Sequence, residues 1–397
     1  MCLVLLMTQT GCGNTSDPTT KDVLTIAVRS GVYAEVIKNC IPGFEEKTGI
    51  SCEVMEFSED ELRNEILNDC VNISGIYDVC MIDGSWVPEF RSSGIMTNLS
   101  KEGYSIDDDI IGATTSICIY DNDVYLAPYF GNVSVMLYNK NVADKLGYTE
   151  EDFDSLEDMV NYIMQSEKAG YGGFAFRGDS ANNTVVDFLP ILRACGGWVV
   201  DENNKPTVNT EEFKKAIEIY MFLLDNGEKA PGDDIVNGIE HSEMAVAVGW
   251  PGWIEPDMNN EVDYVSFPGK TGEGSFSYNS NIYGIWTLGI PDNCSDKASA
   301  LRLLEYLMDP GVQRECVSYG LIPCRYSILS DPEILNKYPR LDGLCEALEN
   351  GIYRPMIKEW PSFYTILGDE MIQIINGEES VDNGLLLAQS ELEYLMK

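Results

Sequence analysis

Residues 124–140 read VYLAPYFGNVSVMLYNK, and this stretch decides the fold that the sequence predicts. Apolar residues at alternate positions indicate one strand that begins before Pro128 and a second that starts at Val133. Because proline has no N–H to donate to a neighbouring strand, we expect the first strand to break at Pro128. One strand–helix unit precedes the stretch and another follows it. The stretch is therefore predicted to cross between two lobes, with Tyr129 and Phe130 facing the space between them.

The rest of the chain alternates strands with helices. A length of 397 residues exceeds what one ordinary hydrophobic core accommodates. Short apolar strands, such as those at residues 24–28 and 77–83, are each followed by a helical segment, a pattern typical of an α/β fold with parallel sheets. Such sheets bind ligands outside the carboxyl ends of their strands. Residues 29–33 and 83–86 are predicted to lie there.

The charge of the chain disfavours some classes of partner. The sequence contains 65 Asp and Glu against 26 Lys and Arg, a formal net charge of −39. This field repels the phosphates of nucleic acids and of anionic lipids, so no nucleic-acid partner is expected. A neutral small molecule is compatible with it.

The first residues resemble an export signal. Residues 1–7, MCLVLLM, form a short apolar run, whereas a membrane-spanning helix needs about 20 apolar residues. The run is similar to the end of a secretory signal peptide, and Gly11 and Cys12 resemble a bacterial lipoprotein cleavage site. We expect residues 1–21 to be a signal remnant and a flexible tether, with Cys12 lipidated. A disordered extension is the alternative.

The twelve cysteines are scattered through apolar runs without a CxxC motif. A chain of this size needs no disulfide for stability, so most of them are predicted to be small buried apolar residues. Cys316 and Cys324 are the nearest pair that a local disulfide could join.

The sequence offers little for catalysis. His241 is the only histidine, which leaves at most one such donor for a metal site or a Ser-His-Asp triad. Residues 268–274 contain Gly-Lys-Thr, but a phosphate-binding loop requires glycine where Tyr264 stands. Residues 201–212 have the length of a calcium-binding loop, but Pro206 occupies the position of its turn glycine. We therefore predict no enzyme, no metal and no cofactor. Glycoside hydrolysis by a carboxylate pair stays open, because the acids are numerous.

Aromatic and charged side chains gather at the predicted strand ends. Aromatic faces stack on the C–H faces of sugar rings, while carboxylates and guanidinium groups bind hydroxyls. The candidates are Tyr33, Asp83, Trp86, Tyr129, Arg177, Trp250, Trp253, Tyr283, Trp360 and Tyr364. Trp250 and Trp253 are predicted to face the cleft because they flank a Pro-Gly turn. Trp286 is expected in the core, and Asp83 and Arg177 have surface positions as their alternative.

Several segments, taken in order, resemble one protein family. They are FEEKTGI (44–50), YDVCMID (77–83) followed by Trp86, LYNK (137–140), CGGWVVDENNKPTVNTEEFKKAI (195–217), EMAVAVGWPGW (243–253), SDKASALRLLEYLMDPGVQ (295–313), GLIPCR (320–325) and an Arg-Pro pair before WPSFY (360–364). This ordered set is similar to the extracellular solute-binding proteins of bacterial carbohydrate ABC importers, of the maltose-binding-protein type.

The resemblance implies a fold and lobe limits. The fold is α/β, with two Rossmann-like lobes and hinge-crossing strands, the type II periplasmic-binding-protein architecture. The first lobe would comprise residues 22–131 and 276–326, and the second residues 132–275 and 327–397. The lobes would close on a sugar by a hinge motion.

The resemblance also implies roles for residues. Trp86 would lie on the rim of the first lobe and Tyr129 at the hinge, while Trp250, Trp253 and Tyr364 would belong to the second lobe. The segment GYGGFAFRG (170–178) is similar to one that carries a hydroxyl-binding arginine in polyol binders, here Arg177. Arg354, in the Arg-Pro pair, joins the ligand-binding candidates. Such polyol binders often have tryptophan where Gly284 stands, which argues against a sugar alcohol.

The function that follows is capture of a mono- or oligosaccharide, with a polyol as a variant, for an ABC importer. The expected partners are a neutral carbohydrate and a membrane permease. The chain is expected to act as a monomer, held by a lipid anchor on the outer face of the bacterial cell membrane. A carbohydrate-active hydrolase and a surface adhesin lipoprotein are the alternatives.

Overall fold

The structure is a computed structural model that describes residues 23–178, 180–225, 227–254, 261–269 and 280–397. Cys12, the predicted tether and most of the Gly-Lys-Thr segment lie outside the described residues. The strands are β1 (Val23–Arg29), β2 (Ser51–Phe57), β3 (Val79–Asp83), β4 (Ile119–Tyr120), β5 (Asp123–Val124), β6 (Leu126–Phe130), β7 (Val135–Asn139), β8 (Phe174–Phe176), β9 (Glu228–Lys229), β10 (Val246–Gly249), β11 (Val262–Ser266) and β12 (Trp286–Gly289).

Helices surround these strands. They are α1 (Val32–Thr48), α2 (Glu59–Asn72), α3 (Val87–Ser93), α4 (Gly112–Thr115), α5 (Lys140–Leu146), α6 (Leu156–Ala169), α7 (Ala181–Ala194), α8 (Glu211–Asp225), α9 (Gly232–Glu240), α10 (Lys297–Met308), α11 (Pro310–Cys316), α12 (Tyr326–Leu329), α13 (Pro332–Lys337), α14 (Leu344–Asn350), α15 (Trp360–Ile375) and α16 (Val381–Leu395). Among the described residues, no helix combines the length and the apolar character that crossing a bilayer requires.

Ten of the twelve described strands form two five-stranded sheets, one in each lobe, while β4 and β5 pair in a separate two-stranded sheet. The first has the order β2-β1-β3-β12-β6 and the second the order β11-β7-β10-β8-β9. In the first sheet β1 is parallel to β2 and β3, whereas β12 is antiparallel to both of its neighbours. In the second sheet β8 is parallel to β10 and β9. The predicted α/β fold with two lobes is confirmed.

The predicted break at Pro128 is wrong. Pro128 lies inside β6, which occupies the edge of the first sheet and pairs only with β12 among the described strands. An edge strand tolerates proline because the missing N–H faces away from the partner strand. The pairing shifts between Phe130 and Pro128, so Tyr129 is the extra residue of a β-bulge. The chain instead leaves the sheet at residues 131–134, between β6 and β7.

The helices between α11 and α15 lie beside this crossing. α14 packs against α4 of the first lobe. The hydroxyl of Tyr264 on β11 lies 2.7 and 2.9 Å from the carbonyl oxygens of Arg340 and Asp342. Further along the chain, α15 packs against α7 and α16 of the second lobe. The contact of α14 with α4 favours a lobe boundary after α14 rather than at residue 327, whereas the contacts of Tyr264 favour the earlier boundary, and the lobe limits stay a prediction.

A disulfide joins Cys40 on α1 to Cys316 at the end of α11, with the Cα atoms 6.7 Å apart. This pairing was not predicted, because 276 residues separate the two cysteines. Cys324, the local candidate for pairing with Cys316, is instead a buried free thiol, and burial raises its pKa to about 12. Cys80 and Cys118 are buried as predicted.

The end of α2 provides a stability prediction. Ile73 follows the helix in the left-handed conformation, with φ 54° and ψ 38°, which is strained for a β-branched side chain. The residue is 78% exposed, so its packing contributes little. We expect Ile73→Asn to raise the free energy of unfolding by about 1 kcal/mol, because asparagine adopts this conformation more readily. Urea unfolding measures the change.

Val71→Asn is the control, because Val71 is 73% exposed but lies within α2. It should leave stability unchanged or lower it slightly, since asparagine is a weak helix former. Equal effects of both variants would contradict the strain at Ile73.

Candidate ligand-binding site

A cavity lies between the two sheets, where strands of both lobes end. β1 and β3 bring Arg29 and Asp83 to it from the first lobe, while β8 and β10 are followed by Arg177 and Trp250 in the second. Residues from both lobes and from the crossing line it: Arg29, Tyr33, Glu59, Asp83, Asn132, Arg177, Asn182, Asn183, Val186, Trp250, Trp253, Gly284, Trp286 and Arg354. The position agrees with the general rule that α/β sheets bind ligands beyond the carboxyl ends of their strands.

Asp83 and Arg354 form a buried ion pair at the base of the cavity. Nη2 of Arg354 donates to Oδ1 of Asp83 at 2.7 Å, and the side chains are only 6% and 4% exposed. The same carboxylate oxygen accepts the backbone N–H of Ser85 at 2.8 Å. The pair connects the end of β3 to the segment before α15, so it joins the first lobe to the chain that enters the second.

Arg177 and Asp187 form a second pair within the second lobe. The guanidinium of Arg177 donates through Nε and Nη2 to the carboxylate of Asp187, which is 1% exposed. The guanidinium also lies over the ring of Trp253, 5.2 Å from its centroid. The indole of Trp253 also packs on Gly232, where an added Cβ would lie 3.0 Å from Cε2 of the ring. Arg177 and Trp253 are therefore held firmly by their own lobe.

Arg29 and Glu59 form the most open pair in the cavity. Nη2 of Arg29 lies 3.5 Å from Glu59, and these side chains are 30% and 23% exposed. The guanidinium is 4.9 Å from the ring centroid of Tyr33 and 5.2 Å from that of Trp286. Burial alone would lower the pKa of Arg29, but Tyr33, Glu59 and Asp83 outweigh it and raise the pKa, so the group stays charged.

Trp250 closes the hinge side of the cavity. Its indole packs directly on Gly284, where an added Cβ would lie 2.5 Å from Cζ3 of the ring. Real Cβ atoms do not approach so closely, so only glycine allows this contact. The backbone N–H of Gly252, two residues further on, approaches Oδ1 of Asn132 at 3.4 Å. The Trp-Pro-Gly-Trp turn of the second lobe thus rests on the crossing segment.

The two lobes also meet across the mouth of the cavity. Nδ2 of Asn182 on α7 donates to Oε1 of Glu59 on α2 at 3.2 Å. The cavity has a volume of about 30 Å³. It can hold one or two waters, because each water needs at least about 10–15 Å³. A sugar ring can enter only if the lobes move apart.

Six of the predicted site residues line the cavity. They are Tyr33, Asp83, Arg177, Trp250, Trp253 and Arg354. Tyr364 does not line the cavity; it lies in the first turns of α15, with its ring centroid 5.9 Å from that of Trp360. Burial raises its pKa to about 12, and the charges of Asp60 and Glu59 at the start of α2 raise it further. Asp83 and Arg177 therefore occupy the cleft rather than the outer surface.

Four predicted residues lie elsewhere. Tyr129 is fully buried and does not line the cavity, while its neighbour Phe130 packs against Tyr33 with ring centroids 4.6 Å apart. Trp86 packs behind Trp286, edge to face at 5.4 Å. The two remaining residues, Tyr283 and Trp360, are buried against Tyr353 and Phe363.

Sequence reasoning missed several residues of the cavity. Glu59 and Asn182 lie in the first turns of α2 and α7. A helix that follows a parallel strand begins at the same edge where the strand ends, so its first turn was a signal that could have found them. Arg29 ends β1, at the predicted ligand edge, but was not selected. Trp286 is 1% exposed, as its expected core position requires, yet one edge of it lines the cavity.

A cavity between two α/β lobes, closed by contacts from both, defines a two-lobed solute-binding protein. The family model described as bacterial extracellular solute-binding protein matches residues 27–314. The chain belongs to this family, whose members bind solutes outside the cytoplasm for ABC transporters and are not enzymes. The resemblance found in the sequence is confirmed.

Individual relatives are distant. A probable amino-acid ABC transporter periplasmic-binding protein of Sinorhizobium fredii is 21% identical over 382 residues, which cover 93% of this chain and 88% of the relative. The structure is similar to maltose-bound MalE3 of T. maritima, with a TM-score of 0.85, 19% identity and coverage of 94% and 99% of the two chains. It is also similar to a ribitol-bound solute-binding protein of Agrobacterium radiobacter, with a TM-score of 0.83, 22% identity and coverage of 96% and 100%. At these identities the likeness establishes the fold.

Proposed function

We propose that this chain captures a neutral, polyhydroxylated ligand, a sugar or a polyol, in the interlobe cavity and delivers it to the permease of an ABC importer. The observation that carries the proposal is the pairing of charges at the cavity. Each described guanidinium that lines it faces a carboxylate: Arg29 faces Glu59 and Arg354 faces Asp83, both of the lining, and Arg177 faces Asp187.

Paired charges suit hydroxyl groups. A guanidinium offers five N–H donors and a carboxylate several acceptor sites, so each pair retains hydrogen-bonding capacity that a hydroxyl, both donor and acceptor, can use. A charged ligand would add an unmatched charge to a site with little water, which is unfavourable. Trp250, Trp253 and Trp286 supply apolar surface beside these pairs, the combination that sugars require. The maltose and ribitol ligands of the structural neighbours belong to this chemical class.

An amino acid fits the cavity less well, although one relative is named as a probable amino-acid binder. Its ammonium and carboxylate groups would need a carboxylate and a guanidinium that are free to pair with them. The lining carboxylates Asp83 and Glu59 each already face an arginine in the described structure.

The remaining partners complete the proposal. The contacting residues are proposed to include the six predicted ones that line the cavity, with Tyr364 at its edge. Cys12 is proposed to carry the lipid that holds the protein, as a monomer, on the outer face of the bacterial cell membrane. Closure of the lobes favours the ligand-bound state because the ligand contacts both of them.

Thermal unfolding against a panel of ligands tests the proposal. The panel contains mono-, di- and oligosaccharides, polyols, amino acids and polyamines. A ligand at 100 times its Kd should add about 2.7 kcal/mol to the free energy of unfolding, which raises the Tm measurably. We expect a sugar or a polyol to produce this shift.

The matched control is Trp250→Ala, which should abolish the shift while the protein stays folded. A shift with an amino acid or a polyamine only, or no shift with any sugar or polyol at millimolar concentration, would contradict the proposed ligand class.

A further inference from the structure

We propose that Glu59 makes the cavity reject anionic sugars by neutralising Arg29, the most exposed guanidinium among the described residues that line the cleft. The inference rests on the proposed function and specifies its ligand: an uncharged sugar or polyol, as opposed to a sugar acid such as a uronate. In this chain the choice depends on one side chain at the start of α2.

The three guanidinium groups differ in how completely they are engaged. Arg354 is 6% exposed with its partner at 2.7 Å, and Arg177 is 11% exposed with a forked contact to Asp187. Arg29 is 30% exposed, and its contacts to Glu59 and to the hydroxyl of Tyr33 are long, at 3.5 and 3.4 Å. A ligand group can therefore approach the donors of Arg29 with the least disturbance of existing bonds.

Glu59 lies in the cavity lining beside the donors of Arg29 that such a group would approach. Its carboxylate faces Arg29 in its own lobe and accepts from Asn182 in the other lobe at 3.2 Å. It is also the first residue of α2, so the positive end of that helix favours its charge. A ligand carboxylate that reached Arg29 would meet the carboxylate of Glu59 at close range, where like charges repel strongly. A ligand hydroxyl can donate to Glu59 and accept from Arg29 at once.

Removal of the charge of Glu59 should shift the preference of the cavity from neutral sugars towards anionic sugars. In Glu59→Gln the amide keeps the shape and one acceptor oxygen, while Arg29 and the start of α2 lose the opposing charge. Like charges at such a distance repel strongly even at an effective dielectric constant of about 20. Specificity of this kind depends on a repulsive group as much as on attractive ones.

The test compares calorimetric titrations of the wild type and Glu59→Gln with glucose, glucuronate and the neutral ligand that gives the largest thermal shift. We expect the affinity for the neutral ligand to fall less than about tenfold. The affinity for glucuronate, relative to that neutral ligand, should rise about tenfold or more. Because the effect acts at contact distance, it should persist at 0.5 M salt, where the Debye length is only about 4 Å.

Glu46→Gln is the matched control. Glu46 is exposed on α1, and its replacement by glutamine makes the same change in net charge away from the cavity. Equal responses of the two variants to glucuronate, or no relative gain in Glu59→Gln, would overturn the role of Glu59 while sugar binding by the wild type still supports the proposed function. Binding of glucuronate by the wild type as tightly as of a neutral sugar would also overturn it. Failure of the wild type to bind any sugar would refute the proposed function and the inference together.

Discussion

Replacement of Arg354 with methionine is expected to lower the free energy of unfolding by about 3–5 kcal/mol, because it leaves the buried carboxylate of Asp83 without its countercharge. Asp83 is 4% exposed and would keep only the N–H of Ser85 as a described partner at 2.8 Å. Urea unfolding without ligand measures the loss. The long methionine side chain preserves most of the packing volume, so the loss reports the charge rather than a cavity.

Two further variants check this interpretation. Arg91→Met breaks the exposed pair of Arg91 and Asp121, whose side chains are 50% and 81% exposed, and should cost at most about 1 kcal/mol. Asp83→Asn added to Arg354→Met should restore part of the stability, because the unpaired charge is removed. Equal losses in Arg354→Met and Arg91→Met would show that the buried pair does not differ from a surface pair.

Gly284→Ala is expected to weaken ligand binding by about 10- to 100-fold, because overpacking of the closed state costs about 1–3 kcal/mol. The added Cβ would lie 2.5 Å from the ring of Trp250, so the second lobe could not settle on the crossing segment. We expect opening of the lobes to separate Trp250 from Gly284, so the variant should fold normally. Calorimetry measures the affinity, and small-angle X-ray scattering measures whether ligand still reduces the radius of gyration.

Gly112→Ala serves as the control, since an added Cβ at Gly112 meets nothing within 4 Å. It should bind ligand like the wild type. If Gly284→Ala bound as tightly and closed as fully, the packing of Trp250 on Gly284 would not be needed for closure.

Much of the fold could be predicted because it depends on local patterns. The helix from Leu156 to Ala169 begins with a capping box of Ser155 and Asp158, a pattern visible in the sequence, and ends at Gly170 in the left-handed conformation. The short apolar strands at residues 23–29 and 79–83 were equally clear. Pro128 could not be judged from its neighbours, because whether a strand tolerates proline depends on its place at the sheet edge.

The site was predicted where the chain places a side chain at the strand end itself. Asp83 and Trp250 are such cases. The positions of Tyr129 and Trp360 depended on which face of a strand or helix turned to the cleft, and that is decided by packing between distant segments. The pairing of Asp83 with Arg354, which are 271 residues apart, depended on the same kind of packing.

The most direct test of the central claim is calorimetric titration of the wild type with the sugar or polyol that most raises its Tm, followed by chromatography of the recovered ligand. We expect saturable binding of one ligand per chain, loss of binding in Trp250→Ala, and recovery of the ligand unchanged. A hydrolysed product would show a glycosidase instead. Saturable binding that Trp250→Ala leaves intact would place the ligand outside the interlobe cavity.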